Sequence, residues 1–299
     1  MSVNVRIGTR GSQLALWQAN EVSKRLAEGG YRPEIVPFKT TADKRQDVPL
    51  ALIGGKGLWV KELEEALLRG EIDMAVHSLK DVPSIIGDEF VLAGFLERAD
   101  PRDAWVHLAG TPIASLRSGV VGTSAPRRRA QLRALYPHLR IDDIRGNVDT
   151  RINKLRAGLY DGAILATAGL LRLGRAGEIT SYFSIDEMLP ACGQGIIAIE
   201  TLRDAASLAS SITHAPTTLA AHCERGVLQK FGTMLDCYSA CAVHATFDDG
   251  DITIRAFFGE LEGDRSSRVT KSGHDADAVI DDVYRELVNQ GAMNLVVTR

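Results

Sequence analysis

Short apolar strands alternate along this chain with segments of three- and four-residue apolar spacing, and that alternation limits the fold more than any other feature. Val5 to Gly8 reads as a strand and Arg10-Gly11-Ser12 as a turn, with Leu16, Ala19, Val22 and Leu26 at helical spacing behind Ser12, the natural N-cap. Glu34 to Thr40 follows as strand, Trp59 to Arg69 as a helix stopped by Gly70, and Ile72 to Val76 and Phe90 to Phe95 as strands. Parallel strands need a crossover to return the chain, so the pattern predicts an α/β sheet with its ligand loops just beyond the strand ends. It restarts with strand Val120 to Gly122, a basic helix from Arg127 to Leu135, strand Arg140 to Ile144, a helix near Thr150 to Ala157 and strand Gly162 to Ala166. A boundary is expected near residue 100, in Arg98-Ala99-Asp100-Pro101. After strand Gly195 to Glu200, the last unit contains strand Ile252 to Phe258, helix Ala276 to Gln290 and strand Asn294 to Val297, and reads as a small α+β domain. No fixed-period repeat or low-complexity segment interrupts this order.

A chain of 299 residues predicts two or three domains. No apolar run approaches the roughly 18 residues of a membrane span, and the first ten residues lack the apolar core of a signal peptide, so a soluble cytoplasmic protein is expected. Four cysteines, Cys192, Cys223, Cys237 and Cys241, are too few for a disulfide framework in a chain this long. The net charge of -3 hides a basic segment: residues 123 to 175 hold 11 Lys and Arg against 4 acids. Such a segment in a mildly acidic protein predicts a local anion site, with a solvated helix face as the plainer alternative. No nucleic-acid module or interleaved aromatics accompany it, so no nucleic-acid partner is expected.

Four strand-end loops carry the candidate chemistry. Arg10-Gly11-Ser12 offers a guanidinium and a helix N-terminus to a carboxylate or phosphate, though the same residues also read as an ordinary cap beside a surface arginine. Gly54-Gly55-Lys56-Gly57 lacks phosphate-loop spacing, and Leu58 stands where the metal-binding hydroxyl belongs. A nucleotide site is therefore excluded, leaving a glycine-rich flap tipped by Lys56. His77-Ser78-Leu79-Lys80-Asp81-Val82-Pro83-Ser84 places Asp81 beside Lys80, either as a turn residue ahead of the proline or as an acid, a base or the partner of a developing cation. In the basic segment Thr123 and Ser124 lead into Arg127, Arg128 and Arg129, while Arg145-Gly146-Asn147 leaves the next strand with Arg151 one helical turn beyond. Two strand ends would thus bring guanidinium groups to one crevice, which suits a ligand with many carboxylates. His77 and His138 are read as structural, since no second ligand lies at metal spacing.

In order, these segments resemble the porphobilinogen deaminase family over nearly the whole chain. The likeness is carried by Gly54 to Gly57 with Leu58-Trp59 and Lys61 to Glu64, His77 to Pro83, Asp100-Pro101-Arg102-Asp103, Arg145 to Val148 with Thr150-Arg151, and Gly193-Gln194-Gly195. The resemblance implies two domains like type II periplasmic binding proteins flanking a cleft, plus a small α+β C-terminal domain. The expected spans are 1–99 with 194–215, then 100–193, then 216–299. It implies a transferase that joins four porphobilinogen units into hydroxymethylbilane with loss of ammonia, in tetrapyrrole and heme biosynthesis, acting as a monomer. It further implies a dipyrromethane cofactor held by a thioether to a cysteine. Asp81 would be the catalytic carboxylate. Arg10, Ser12, Lys56, Ser78, Lys80, Thr123, Ser124, Arg127, Arg128, Arg145, Asn147, Arg151 and Arg172 would bind cofactor and substrate. Matching Ala242-Val243-His244-Ala245 to the residues that follow the family's attachment loop selects Cys237 rather than Cys241. Cys223, Cys237, Cys241 and His244 match no common zinc spacing, and no metal is expected. The chain departs from the family at Ala125 and Pro126, where Ser and Leu are usual, and at Ala240, where the attachment loop usually has Pro. The alternative is a two-lobed anion-binding protein that has lost catalysis.

Overall fold

The computed structural model describes residues 3–39, 60–235, 239–261 and 265–296. They form two compact units, 1–99 with 195–221 and 100–194 with 222–299.

The first unit is built on strands β1 (Asn4–Arg10), β2 (Arg32–Phe38), β3 (Met74–Ser78) and β4 (Phe90–Phe95), with helices α1 (Gln13–Glu28) and α2 (Lys61–Leu68). Ser12 is the N-cap expected for α1, its Oγ accepting from Ala15 N at 3.3 Å. The buried stripe of α1 is Ala15, Gln18, Ala19, Val22 and Leu26, of which Ala19, Val22 and Leu26 pack with Ile7, Met74 and Ile199 on one face of the sheet. Leu63, Ala66 and Leu67 of α2 cover part of the other face. The sheet order is β2-β1-β3-β10-β4, where β10 (Ile197–Leu202) arrives from far along the chain and runs antiparallel between β3 and β4.

The second unit repeats this plan without repeating the sequence. Its strands β5 (Asp103–Val106), β6 (Val120–Gly122), β7 (Arg140–Asp142), β8 (Gly162–Ala166) and β9 (Ser181–Tyr182) are ordered β7-β6-β8-β5-β9. Three parallel strands are again followed by one antiparallel to them, here β5. Helices α3 (Pro126–Leu135), α4 (Val148–Arg156) and α5 (Thr167–Arg172) follow β6, β7 and β8. The same unit holds α6 (Ala215–Lys230) from residue 222 onward, and an antiparallel meander of β11 (Ala240–Asp248), β12 (Asp251–Gly259) and β13 (Ser266–Gly273). Helix α7 (Ala276–Asn289) buries Val279, Ile280, Val283 and Leu287 in the core of this meander with Phe231 and Phe258.

The fold class is therefore α/β with a small α+β part, as expected. The last strand is a correction: the chain is helical over α8 (Ala292–Val296), where a strand was expected from Asn294 to Val297. Gly291, at φ +82°, ends the preceding turn. Ala292 and Leu295, spaced by one helical turn, then pack on the meander core.

Candidate active site

Parallel neighbours β1 and β3 end at the same edge of their sheet, and this edge assembles the first set of candidate residues. Arg10 closes β1 and Ser12 opens α1, while Ser78 closes β3 and Asp81 ends the 3-10 turn Leu79–Asp81. Arg10, Ser12, Ser78 and Asp81 line one cavity with Gln18 and His77. The turn is held by Val82 N donating to Leu79 O at 3.1 Å and Leu79 N donating to Ile196 O of the strand β10 segment at 3.0 Å. Asp81 is thus fixed from both sides by backbone. Gln18, buried in the otherwise apolar stripe of α1, donates from Nε2 to Ser78 Oγ at 2.8 Å. Sequence reading passed over Gln18, although a glutamine interrupting such a stripe was a visible signal. Lys80 lies in the same turn. Lys56 and its glycine-rich loop fall outside the described residues.

In the second unit β6 lies between β7 and β8, so three loops reach the carboxyl edge of that sheet. Ser124 Oγ donates to Ile144 O at 2.7 Å and ties the loop after β6 to the loop after β7. Thr123 is fully buried, and its Oγ1 accepts from Ala125 N at 3.3 Å. Asn147 caps α4: its Oδ1 accepts from Thr150 N and Thr150 Oγ1, both at 2.8 Å. Gly146, at φ +110°, makes this turn possible, because a Cβ there would lie 2.5 Å from Thr150 Cγ2. Arg151 folds back, Nε donating to Gly146 O at 2.8 Å, and Lys154 Nζ donates to Arg145 O at 3.1 Å. Arg172 stands in the last turn of α5, half-buried.

Arg127 and Arg128 turn inward. Each guanidinium pairs with Asp103 of β5, which is completely buried: Arg127 Nη1 lies 2.6 Å from Oδ2 and Arg128 Nη2 lies 2.7 Å from Oδ1. Arg127 also donates to Leu189 O and Gln194 Oε1, each at 3.0 Å, and Arg128 to Ile164 O at 2.8 Å. Gln194 Nε2 completes the network on Asp103 Oδ1 at 2.9 Å and Pro101 O at 2.7 Å. Burial opposes ionisation of Asp103, but the charges of Arg127 and Arg128 and their hydrogen bonds outweigh it and hold the carboxyl well below the usual range. Two guanidiniums and one carboxylate leave one net positive charge in this knot. Neither Asp103 nor Gln194 was singled out from sequence as a site residue, because their partners lie 24 to 93 positions away.

Helix α3 joins the arginine knot to the meander. Ala130 packs with Leu189, Ala240, Ala242 and Phe257, so the first residues of β11 sit against the helix that begins beside the knot. Cys237 lies three positions before Ala240, outside the described residues. Cys241 is half-buried on β11 opposite Phe258, and burial pushes the Cys223 thiol up to about 11. Among the described residues no group of three or more His, Cys, Asp or Glu is placed to hold a metal ion, and no helix is long and apolar enough to cross a membrane.

Residues 5–210 match the family model "Porphobilinogen deaminase, dipyromethane cofactor binding domain". The chain belongs to the porphobilinogen deaminase family. Over 301 residues it is 42% identical to the porphobilinogen deaminase of Desulfitobacterium hafniense, covering 98% of this chain and 96% of that one. Over 284 residues it is 45% identical to that of Geobacter sulfurreducens, covering 91% and 87%. Among solved structures, the methionine-binding protein MetQ is similar at 14% identity and a TM-score of 0.45, over 70% of this chain and 86% of that one. The chain is accordingly an enzyme of tetrapyrrole biosynthesis, a transferase with a dipyrromethane cofactor. Nothing found supports the inactive anion-binding alternative.

Proposed function

We propose that this chain joins four porphobilinogen units into hydroxymethylbilane with Asp81 as its catalytic carboxylate and Cys237 as the cofactor attachment point. The observation that carries this reading is the convergence of Arg10, Ser12, Ser78 and Asp81 on one cavity at the carboxyl edge of β1 and β3. The donor set fits the cofactor and the growing chain: guanidinium and hydroxyl groups suit acetate and propionate carboxylates, and a fixed carboxylate suits pyrrole N–H groups. When bound, the dipyrromethane supplies the primer on which the product is built. Asp81 faces the cation left when a substrate unit loses ammonia and aligns the ring N–H groups, acting through charge already in place. Arg10, Ser12, Lys56, Ser78 and Lys80 bind carboxylates beside it. Thr123, Ser124, Arg145, Asn147, Arg151 and Arg172 bind cofactor and substrate carboxylates at the second sheet. Arg127 and Arg128 add the net positive charge of their knot with Asp103. The domains on this reading are 1–99 with 194–215, 100–193 and 216–299, in a cytoplasmic monomer. Packing of Ala240 and Ala242 on α3 supports attachment at Cys237, since it anchors the end of the attachment loop near the arginines. The test is the intact mass of the purified protein together with turnover of porphobilinogen. A mass increase of two pyrrole units, a positive reaction with Ehrlich's reagent and tetrapyrrole product are expected. Unmodified protein that makes no tetrapyrrole would end the proposal.

A further inference from the structure

His77, in the wall of the Asp81 cavity, forms a buried hydrogen-bonded pair with Glu200, and the proposed function gives this pair no role. His77 Nε2 lies 3.0 Å from Glu200 Oε2, and the two side chains are 4% and 0% exposed. His77 stands on β3 immediately before Ser78, and Ala198 of β10 is its direct cross-strand partner, so the pair staples these two strands at the end from which the Asp81 turn departs. The second carboxylate oxygen of Glu200 has no hydrogen-bond partner among the described residues. Stability alone does not account for the pair. Ala198, the cross-strand partner of His77, belongs to an apolar cluster with Leu79, Val82, Phe95 and Ile196, and well-packed apolar side chains in such a place are commonly as stable as a buried polar pair or more so. The charged groups near the pair include Glu64 on α2, which also interacts with Glu89, and Arg10 and Asp81 on the cavity side. Burial and the nearby Glu200 charge raise the Glu64 carboxyl, whereas His77 works in the opposite sense.

We propose that His77, anchored by Glu200, is a positioning residue that fixes the end of β3 and through it the carboxylate of Asp81. The proposal rests on Asp81 being the catalytic carboxylate. A carboxylate that stabilises charge in the transition state must be held in place beforehand, and a displacement of about 1 Å can cost on the order of a hundredfold in rate. The staple acts at the point where a shift of β3 against β10 would move Ser78 and Asp81 together.

The test compares three variants of the cofactor-loaded protein well below their melting temperatures, with loading checked by mass. In His77→Leu/Glu200→Leu the pair is replaced by apolar side chains. This variant is expected to melt at or above the parent temperature and to lose at least about tenfold in kcat, with KM within about twofold. His77→Gln, whose amide still donates to Glu200, is expected to recover most of that kcat. Should the double variant fail to fold, His77→Asn takes its place, being too short to reach Glu200, and the same loss of kcat at constant KM is expected. Parent-like kcat in the folded double variant, or in His77→Asn, overturns the proposal, as does a His77→Gln variant no better than the double one. A parent protein that neither carries pyrroles nor turns over porphobilinogen refutes the functional reading instead, whatever the variants do.

Discussion

At the scale of single residues, position within the turn separates Asp81 from an ordinary turn aspartate. It lies in a cavity with a guanidinium and two hydroxyl side chains, on a turn whose backbone is tied to Ile196, just before β10. Asp81→Asn keeps volume and hydrogen-bonding capacity but removes the charge, so turnover should fall by a factor of roughly 100 to 1000, the range for losing one preorganised stabilising group. Far-ultraviolet circular dichroism and the melting temperature should stay at parent values. Near-normal tetrapyrrole formation would remove Asp81 from the mechanism. Asp103 has a different task, since its carboxylate is consumed by Arg127 and Arg128. Asp103→Asn leaves two buried guanidiniums without their counter-charge and should destabilise the protein by about 3 to 5 kcal/mol. Because the folded carboxyl is held below its unfolded value near 3.9, this stabilisation is fully present above that value and is lost as pH falls toward the folded one. Urea midpoints of parent and variant should therefore differ by a constant amount from about pH 8 to 5 and converge below about pH 4. A gap that instead widens in acid would reverse the assignment.

At the scale of elements, α3 carries most of the departures from the family. Proline at 126 is tolerated because it occupies the first turn, where its missing N–H would have no intrahelical partner. Ala125 is the N-cap and makes no side-chain bond to the helix. Ala125→Ser should therefore stabilise the protein by about 0.5 to 2 kcal/mol, read as a rise of a few degrees in melting temperature. Turnover should change by no more than about tenfold, the effect of one neutral hydrogen bond. A gain of several orders of magnitude would show that the alanine impairs function. The other face of α3 meets Ala240 and Phe257, so the residue that replaces the family's proline is a buried packing contact. Ala240 also begins the β11 pairing with Gly259, so the start of this strand is fixed without a proline ring.

At the scale of the whole molecule, two sheets of the same order each gather ligand-type side chains at their carboxyl edges, and the meander packs on the second through α3. Which cysteine joins the cofactor to this framework can be decided by mass. Cys237→Ala should give protein of unmodified mass that shows no colour with Ehrlich's reagent and makes no tetrapyrrole. Cys241→Ala should keep the added mass and most of the activity, because Cys241 sits half-buried in a regular strand pairing rather than on an open loop. A modification that survives the first substitution and disappears with the second would move the attachment point to Cys241.

The amino-acid sequence by itself determined what depends on near neighbours. Strand and helix alternation, the Ser12 cap and the strand-end placement of Arg10, Asp81 and Arg145 all follow from local spacing and turn chemistry, and the ordered motifs identified the family. Only the tertiary structure decided which strands pair across long separations. It inserted β10 between β3 and β4, brought His77 to Glu200 over 123 positions, and paired Arg127 and Arg128 with the buried Asp103. It also left β13, rich in Ser, Arg and Lys, as an edge strand that apolar periodicity did not reveal, and made residues 292–296 helical. Periodicity reports whether a position is buried. Which distant charge awaits a buried arginine depends on topology, because the energy of a buried charge comes from the partner that the rest of the chain delivers to it.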